Sequence, residues 1–317
     1  MTKKVPSALA GVVAESPAMR ELVPLVLRLA ATRNPVLLEG ESGTGKDLFA
    51  HWLHYGGPRR EGSFIKVHCP SIPGELLESE LFGHERGAFT DARQAKAGKI
   101  ELAAGGTLYF DQVQDLTPPL QAKLLRVVEE RSFERVGGTR TIEVDVRFVT
   151  SSNEDLAEAV RAARFREDLF HRLNVVPLRI PALRDRREDI LPLANAFLAR
   201  ERERGATEAS AFAARTVEIL LSHVWPGNVR ELRSVVERAA LLTPSGEVPP
   251  QALPAQILEL PAALWTRRDR RPSLADVEAA YIRSVLESVG GSQLRAAELL
   301  GISRKALWAK RRRHGIG

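Results

Sequence analysis

The stretch VLLEGESGTGKDLFAHWL (residues 36–53) decides the fold class of this 317-residue chain. Four residues of strand character, Val36 to Glu39, lead into a turn containing Gly40, Gly43 and Gly45, and a helical pattern begins at Lys46. Glycines let the backbone curl so that successive N–H groups and the helix N-terminus face one point. An anion is stabilised there, and Lys46 is placed to reach the outer phosphates of a nucleotide. Gly40, Glu41, Ser42, Gly43, Thr44, Gly45, Lys46 and Asp47 are therefore the expected nucleotide-binding loop. The general motif has Ser or Thr after the lysine, where a hydroxyl meets Mg²⁺, but this chain has Asp47.

Outward from this loop, apolar runs of strand type (SFIKVH, GTLYFD, VRFVTSS) alternate with helical patterns as far as about residue 175. That alternation predicts a parallel sheet flanked by helices. From about 180 to 243 helix-period patterns take over and predict a second, all-helical unit. Next come Pro244, Pro249, Pro250, Pro254, Pro261 and Pro272, too many for one helix, which predicts a linker. A compact helical module follows from Ser273.

Hydrophobic residues make up 44% and charged residues 27%, the balance of an ordinary globular protein. No apolar run reaches the length of a membrane span. The N-terminal run is Ala/Gly-rich, short and interrupted by Pro6, which argues against a signal peptide. Cytoplasmic residence with no membrane partner is expected. The single cysteine, Cys69, excludes an intrachain disulfide. The net charge of +6 is unevenly placed. From Arg267 to Gly317 there are 12 Lys/Arg against 5 Asp/Glu, an excess of +7 that leaves −1 for the rest. The C-terminal module is thus expected to meet a polyanion.

Five segments in this order, GESGTGKD, ESELFGHERGAFTDA, GGTLYFDQVQDL, FREDLFHRLNVVPLRIPALRDRREDI and WPGNVREL, resemble the AAA+ domain of sigma-54-dependent transcriptional activators, the bacterial enhancer-binding proteins. The resemblance runs from about Gly11 to Leu242 and resumes at Ser273. It implies an α/β fold: an AAA+ P-loop NTPase with a parallel sheet and helical lid, followed by a small all-α helix-turn-helix domain. The expected divisions are a tail (1–10), an α/β nucleotide-binding subdomain (11–178), a helical lid (179–245), a linker (246–271) and a Fis-type DNA-binding domain (272–317). An acidic residue after the P-loop lysine is common in that family, so Asp47 is a mild variation. Few residues precede the resemblance, so the family's N-terminal regulatory domain is expected to be missing, leaving control to a partner protein, expression level or nucleotide.

The resemblance also assigns roles. Asp111 is similar to the Walker B aspartate that holds Mg²⁺, and Asn153 to the sensor I residue near the γ-phosphate. Arg166 and Arg172 resemble arginine fingers inserted into a neighbouring subunit's site, which implies a ring. Arg230 resembles sensor II. Gly87, Ala88, Phe89, Thr90, Asp91 and Ala92 resemble the pore loop that engages the sigma factor, whose family form is GAFTGA. Asp91 adds charge where glycine would leave the backbone permissive.

The water site departs from the pattern. After Asp111 the family has a glutamate, whereas this chain has Gln112, whose amide can hold water but cannot take its proton. His68, in FIKVHC, replaces the asparagine that pairs with that glutamate. Either His68 supplies the missing base, or His68 and Gln112 form a neutral hydrogen-bonded pair and hydrolysis is impaired. The second account is preferred here.

In the C-terminal module, Tyr281, Ile282, Val285 and Leu286 predict an apolar helix face, GGSQ a break, LRAAELL a short helix and Ser303 an N-cap. The final helix is then the one that enters the major groove. Ser303, Arg304 and Lys305 are expected near base edges, and Lys310, Arg311, Arg312 and Arg313 on phosphates, with Leu307 facing the core. The expected cofactors are ATP and Mg²⁺. The expected partners are double-stranded DNA, sigma-54 RNA polymerase holoenzyme, further copies of the chain from dimer to hexameric ring, and a separate regulatory protein. Two alternatives are weighed: a DNA-bound regulator that uses ATP for assembly without productive hydrolysis, and, with less support, a DNA-remodelling protein of replication or transposition.

Overall fold

A computed structural model describes residues 13–90, 92–258, 274–289 and 292–316. The expected N-terminal tail, Asp91 and the linker from 259 onward lie outside the described residues. The chain begins with α1 (Pro17–Ala30), β1 (Val36–Glu39), α2 (Lys46–Tyr55), β2 (Phe64–His68) and α3 (Gly74–Phe82). A short antiparallel pair, β3 (Gly83–His84) and β4 (Lys96–Ala97), precedes α4 (Lys99–Leu102), β5 (Thr107–Asp111) and α5 (Pro118–Glu130). A second hairpin, β6 (Ser132–Glu134) with β7 (Thr141–Glu143), leads to β8 (Arg147–Ser152), α6 (Leu156–Arg161), α7 (Glu167–Leu173) and β9 (Val176–Arg179).

Five strands form one sheet in the order β2-β5-β8-β1-β9, every neighbouring pair parallel. Successive side chains leave a strand on opposite faces. Leu37, Leu108, Phe110 and Phe148 enter one buried cluster with Leu120 and Leu124 of α5. Val36, Leu38, Tyr109 and Val149 enter another with residues of α1 and α2, Phe49 and Trp52 among them. Because both faces are covered, the strands read as continuous apolar runs rather than alternating ones.

Two compact units are distinguished, one holding residues up to Leu193 together with Gly227–Leu232, the other Ala194–Pro226 and Arg233 onward. The remaining elements are α8 (Ile190–Glu203), β10 (Ala211–Phe212), α9 (Ala214–Ser222), α10 (Asn228–Leu241), β11 (Glu247–Val248) and α11 (Ala255–Leu258). Two expectations are corrected here. This region is not purely helical, since β10 and β11 pair in parallel over two residues each, too few to show a period-two pattern. Nor is residue 246 the start of an open linker. Val248, Ala252, Leu253 and Ile257 are buried, and the Thr216 hydroxyl donates to Val248 O at 2.8 Å. The prolines that prevent one long helix permit this folded turn.

α12 (Leu274–Ser288), α13 (Gln293–Leu299) and α14 (Arg304–Arg313) form the C-terminal module. Ile282, Val285, Leu286, Ala296, Ala297 and Leu307 make its core, with Leu307 facing inward as expected. Tyr281, expected on that apolar face, is 47% exposed instead, because the core takes up only the i, i+3, i+4 stripe beginning at Ile282. Among the described residues no helix is long and apolar enough to cross a membrane.

One buried charge fixes the helices flanking β1. Arg147, at the start of β8, is 2% exposed, and its guanidinium donates to Leu29 O at 2.7 Å, Ala30 O at 3.0 Å and Leu53 O at 2.6 Å. These carbonyls belong to the last turns of α1 and α2, where helical backbone acceptors lack intrahelical donors. Burial holds the Arg147 pKa down to about 10. Arg147→Met should remove all three bonds while keeping most of the stem volume, and should lower folding stability by about 2–3 kcal/mol. A urea titration measures this, and an unchanged midpoint would contradict the capping role.

Candidate nucleotide-binding site

The parallel sheet brings β1, β2, β5 and β8 to a common edge. There Gly40 N–H donates to Ser152 O at 3.3 Å, joining the start of the glycine loop to the end of β8. Gly43 has φ +79°, and a Cβ there would lie 2.3 Å from Gly227 O, so the loop requires glycine at that position. Lys46 begins α2, and its Nζ donates to Gly40 O at 2.6 Å, Glu41 O at 3.0 Å and Asn153 Oδ1 at 2.5 Å. All three partners are neutral oxygens, and among the described residues Lys46 forms no ion pair. Burial therefore pushes its ammonium down to about 8, with Asp111 and Asp47 opposing the shift. A desolvated cation at a helix N-terminus without a counter-ion is suited to phosphate.

Beside it lies a closed set of polar contacts. Lys66 Nζ stands 2.7 Å from Asp47 Oδ2 and 3.0 Å from Asp111 Oδ2. The Tyr109 hydroxyl donates to Asp47 Oδ1 at 2.9 Å, and the Ser151 hydroxyl to Asp111 Oδ1 at 2.9 Å. For Asp111, burial raises the pKa, but hydrogen bonds from Lys66 and Ser151 outweigh it and the net shift is downward. Lys66 shows the mirror case: burial lowers its pKa, and bonds to Asp47 and Asp111 give a net rise. Both ionised forms are thus stabilised together.

His68 Nδ1 lies 3.1 Å from Asp111 Oδ2. Among the described residues no hydrogen bond joins His68 to Gln112, so the expected neutral pair does not form. β2 and β5 run in parallel with His68 level with Asp111, one residue short of Gln112. Gln112 follows in left-handed conformation with φ 64° and ψ 62°, its backbone N–H donating to Ser151 Oγ at 3.2 Å. Cys69 is buried, its thiol pushed up to about 12 by desolvation first and by nearby Asp111 next.

The predicted arginines have different surroundings. Arg230, near the start of α10, donates to Ser42 Oγ at 2.9 Å and so stands at the loop. Asn228 beside it donates to Ser42 O at 3.0 Å, and Arg184 pairs with Glu41. Arg166 immediately precedes α7 and pairs with Asp168 at 2.7 and 3.0 Å, while Arg172 in the last turn of α7 pairs with Glu129 at 2.6 Å. Both pairs are solvent-accessible, and Arg166, Asp168 and His171 line an open pocket.

Gly87, Ala88, Phe89, Thr90 and Ala92 lie between β3 and β4, closed by Gly87 N–H to Ala92 O at 2.8 Å. Phe89 is 41% exposed and its ring meets His84 edge-on at 4.9 Å. The β6–β7 hairpin, which sequence reasoning missed, docks on this stem. Val136 N–H donates to Gly83 O and Glu85 N–H to Val136 O, both at 3.0 Å, and Arg135 pairs with Glu85 and Glu101. A Cβ on Gly137 would stand 2.8 Å from that of Ala88, so this contact too depends on glycine.

On α14, the Ser303 side chain accepts from Ala306 N–H at 3.2 Å, and Ser303, Arg304, Lys305, Arg312 and Arg313 are exposed. Lys310 corrects the expectation that this cation is free for phosphate: it pairs with Glu278 of α12, which His314 Nε2 also meets at 2.9 Å. Arg311 is partly buried as well, since it occupies the inward face one turn after Leu307.

The glycine loop and uncompensated Lys46 fit the phosphates of ATP. Asp111 and Asp47 are hard oxygen donors of the kind that would hold Mg²⁺, an ion that bound to phosphates needs only one or two carboxylates. Among the described residues no cluster of three or more candidate metal ligands occurs.

Residues 12–179 match the family described as Sigma-54 interaction domain, 184–267 the AAA+ ATPase lid domain, and 273–314 the Fis family of bacterial regulatory proteins. The chain is 42% identical over 309 residues to the transcriptional regulatory protein ZraR of Escherichia coli (strain K12), covering 98% of this chain and 70% of that one. It is 43% identical over 312 residues to the regulatory protein AtoC of the same strain, covering 96% and 68%. The crystal structure of NtrX from Brucella abortus in complex with ATP superposes with a TM-score of 0.75 at 36% identity, covering 96% of this chain and 69% of that one.

The Lys46 environment gives a pH expectation for any phosphate ligand. Only the protonated ammonium attracts phosphate, and a bound phosphate raises its pKa above the free value of about 8. Affinity should therefore be full below that value and fall as pH rises through it, by at most about tenfold per unit. Titrating a fluorescent ADP analogue from pH ~6.5 to ~9.5 checks this, and a flat profile would contradict it.

Proposed function

Because the chain belongs to the family of sigma-54-dependent transcriptional activators with a Fis-type DNA-binding helix-turn-helix, we propose that it binds ATP with Mg²⁺ at the Gly40–Asp47 loop and Asp111 and uses it both to assemble and to drive remodelling. The ATP held by the NtrX relative supports the nucleotide class. In this reading copies form a ring from DNA-bound dimers, with Arg166 and Arg172 exchanging their carboxylates for a neighbour's phosphate. Asn153 and Arg230 report the nucleotide state, and the loop around Phe89 meets sigma-54 RNA polymerase holoenzyme, which the ring remodels. Ser303, Arg304, Lys305, Arg312 and Arg313 hold DNA, the last two through phosphate charge. Control by a separate regulatory protein is part of the proposal.

Hydrolysis is slow in this reading. The observation that carries it is Gln112, an amide in left-handed conformation at the end of β5, where a carboxylate would take a water proton. Loss of general-base help typically costs ~10²–10⁴ in rate. One contact favours a second reading. With Nδ1 against Asp111 the His68 ring is oriented, and its other nitrogen is left to act on water as a base.

ATP turnover measured across a protein concentration series separates the two. Slow hydrolysis predicts bound ATP, low turnover, and a rise of about 10² in Gln112→Glu. High turnover that falls in His68→Asn would instead support the histidine base and reject slow hydrolysis. Nucleotide binding undiminished in Lys46→Ala would reject the site itself.

A further inference from the structure

The contact between Lys66 and two carboxylates, on the edge where nucleotide is proposed to bind, carries an inference about how that site handles charge. Lys66 is the middle residue of β2, so Phe64, Lys66 and His68 share one strand face. From there the ammonium reaches Oδ2 of both Asp47 and Asp111, on α2 and β5 respectively. The other oxygen of each carboxylate is occupied by a hydroxyl, that of Tyr109 on Asp47 and that of Ser151 on Asp111. The ammonium also lies 5.4 Å from the Tyr109 ring centroid, on its face, which favours a cation at that point. His68 Nδ1 shares Asp111 Oδ2 at 3.1 Å, but the ammonium of Lys66 is the group that reaches both carboxylates, so the chain itself supplies a positive charge between them.

We propose that Lys66 is a built-in counter-cation of the nucleotide site, which lets phosphate bind beside Asp47 and Asp111 with little help from a divalent cation. The inference rests on the reading of this edge as a nucleotide site. Two carboxylates facing the same few ångströms repel each other and repel an incoming polyphosphate. Lys66 cancels one of the two charges permanently, so the deficit left for Mg²⁺ is smaller. Lys46 acts differently, since it has no carboxylate partner among the described residues and is available to phosphate directly. Lys66 is therefore a positioning residue that acts through Asp47 and Asp111.

The test is equilibrium binding of a fluorescent ADP analogue to the full chain, once with excess Mg²⁺ and once with EDTA, which involves no turnover. In Lys66→Met the affinity in EDTA should fall by about tenfold or more relative to the parent, while the affinity in saturating Mg²⁺ should change by less than about threefold. Lys66→Arg keeps the charge and should behave as the parent in both conditions. Equal losses in both conditions, no loss in either, or a Lys66→Arg protein that matches Lys66→Met while remaining folded would each overturn the proposal. If Lys66→Met does not fold, Lys66→Gln is measured against Lys66→Arg by the same ratio. Failure of the parent itself to bind in either condition would overturn the nucleotide reading, a result distinguishable from failure of the Lys66 role.

Discussion

Val36 to Glu39 and Val149 to Ser152 run side by side in the same direction, so β1 and β8 finish at one edge and Gly40 N–H closes on Ser152 O. A parallel register leaves no choice about where the strand ends point. With β2 and β5 paired the same way, His68 stands level with Asp111 on the same edge that presents Lys46 and Asn153. Residues more than a hundred positions apart in the chain therefore meet without any one of them specifying the meeting. Arg147 secures this arrangement from the opposite end of β8 by holding the C-termini of α1 and α2 against the sheet. Open α/β sheets place ligands outside the carboxyl ends of their strands for this reason.

Charge on that edge is divided between two lysines in opposite conditions. Lys46 hydrogen-bonds to neutral oxygens and burial depresses its pKa, whereas Lys66 is held by two carboxylates whose bonds outweigh burial and raise its pKa. The first is a cation waiting for an anion. The second already has its anions, and its bond to Asp111 favours the ionised carboxylate there. The hydroxyl of Tyr109, fully buried, completes the network by donating to Asp47.

Outside the edge, exposed ion pairs dominate. Arg166 with Asp168 and Arg172 with Glu129 are accessible pairs of the kind that contribute little to folding, and for that reason can be exchanged for another partner. The stem that carries Phe89 is more firmly built, since the β6–β7 hairpin bonds to it by backbone and by Arg135. In the C-terminal module the cations separate into two kinds. Arg304, Lys305, Arg312 and Arg313 face solvent, while Lys310 joins α14 to α12 through Glu278.

The glycine loop, the parallel sheet, the strand that delivers Asp111 and the helix-turn-helix were legible in the sequence alone, because each is a local pattern: glycines at fixed spacing, apolar runs of strand length, a serine cap before a cationic helix. The folded segment 246–258 and the β6–β7 hairpin were not, since strands of two or three residues carry no detectable period and are specified by what they pack on. The same limit applied within the site. Sequence put His68 and Gln112 together through resemblance, but the register pairs His68 with Asp111, and Gln112 follows one residue later in a left-handed conformation. Lys66, Tyr109 and Ser151 drew no notice as a lysine, a tyrosine and a serine in three separate strands, because only the parallel order of those strands brings their polar atoms within hydrogen-bonding distance of Asp47 and Asp111.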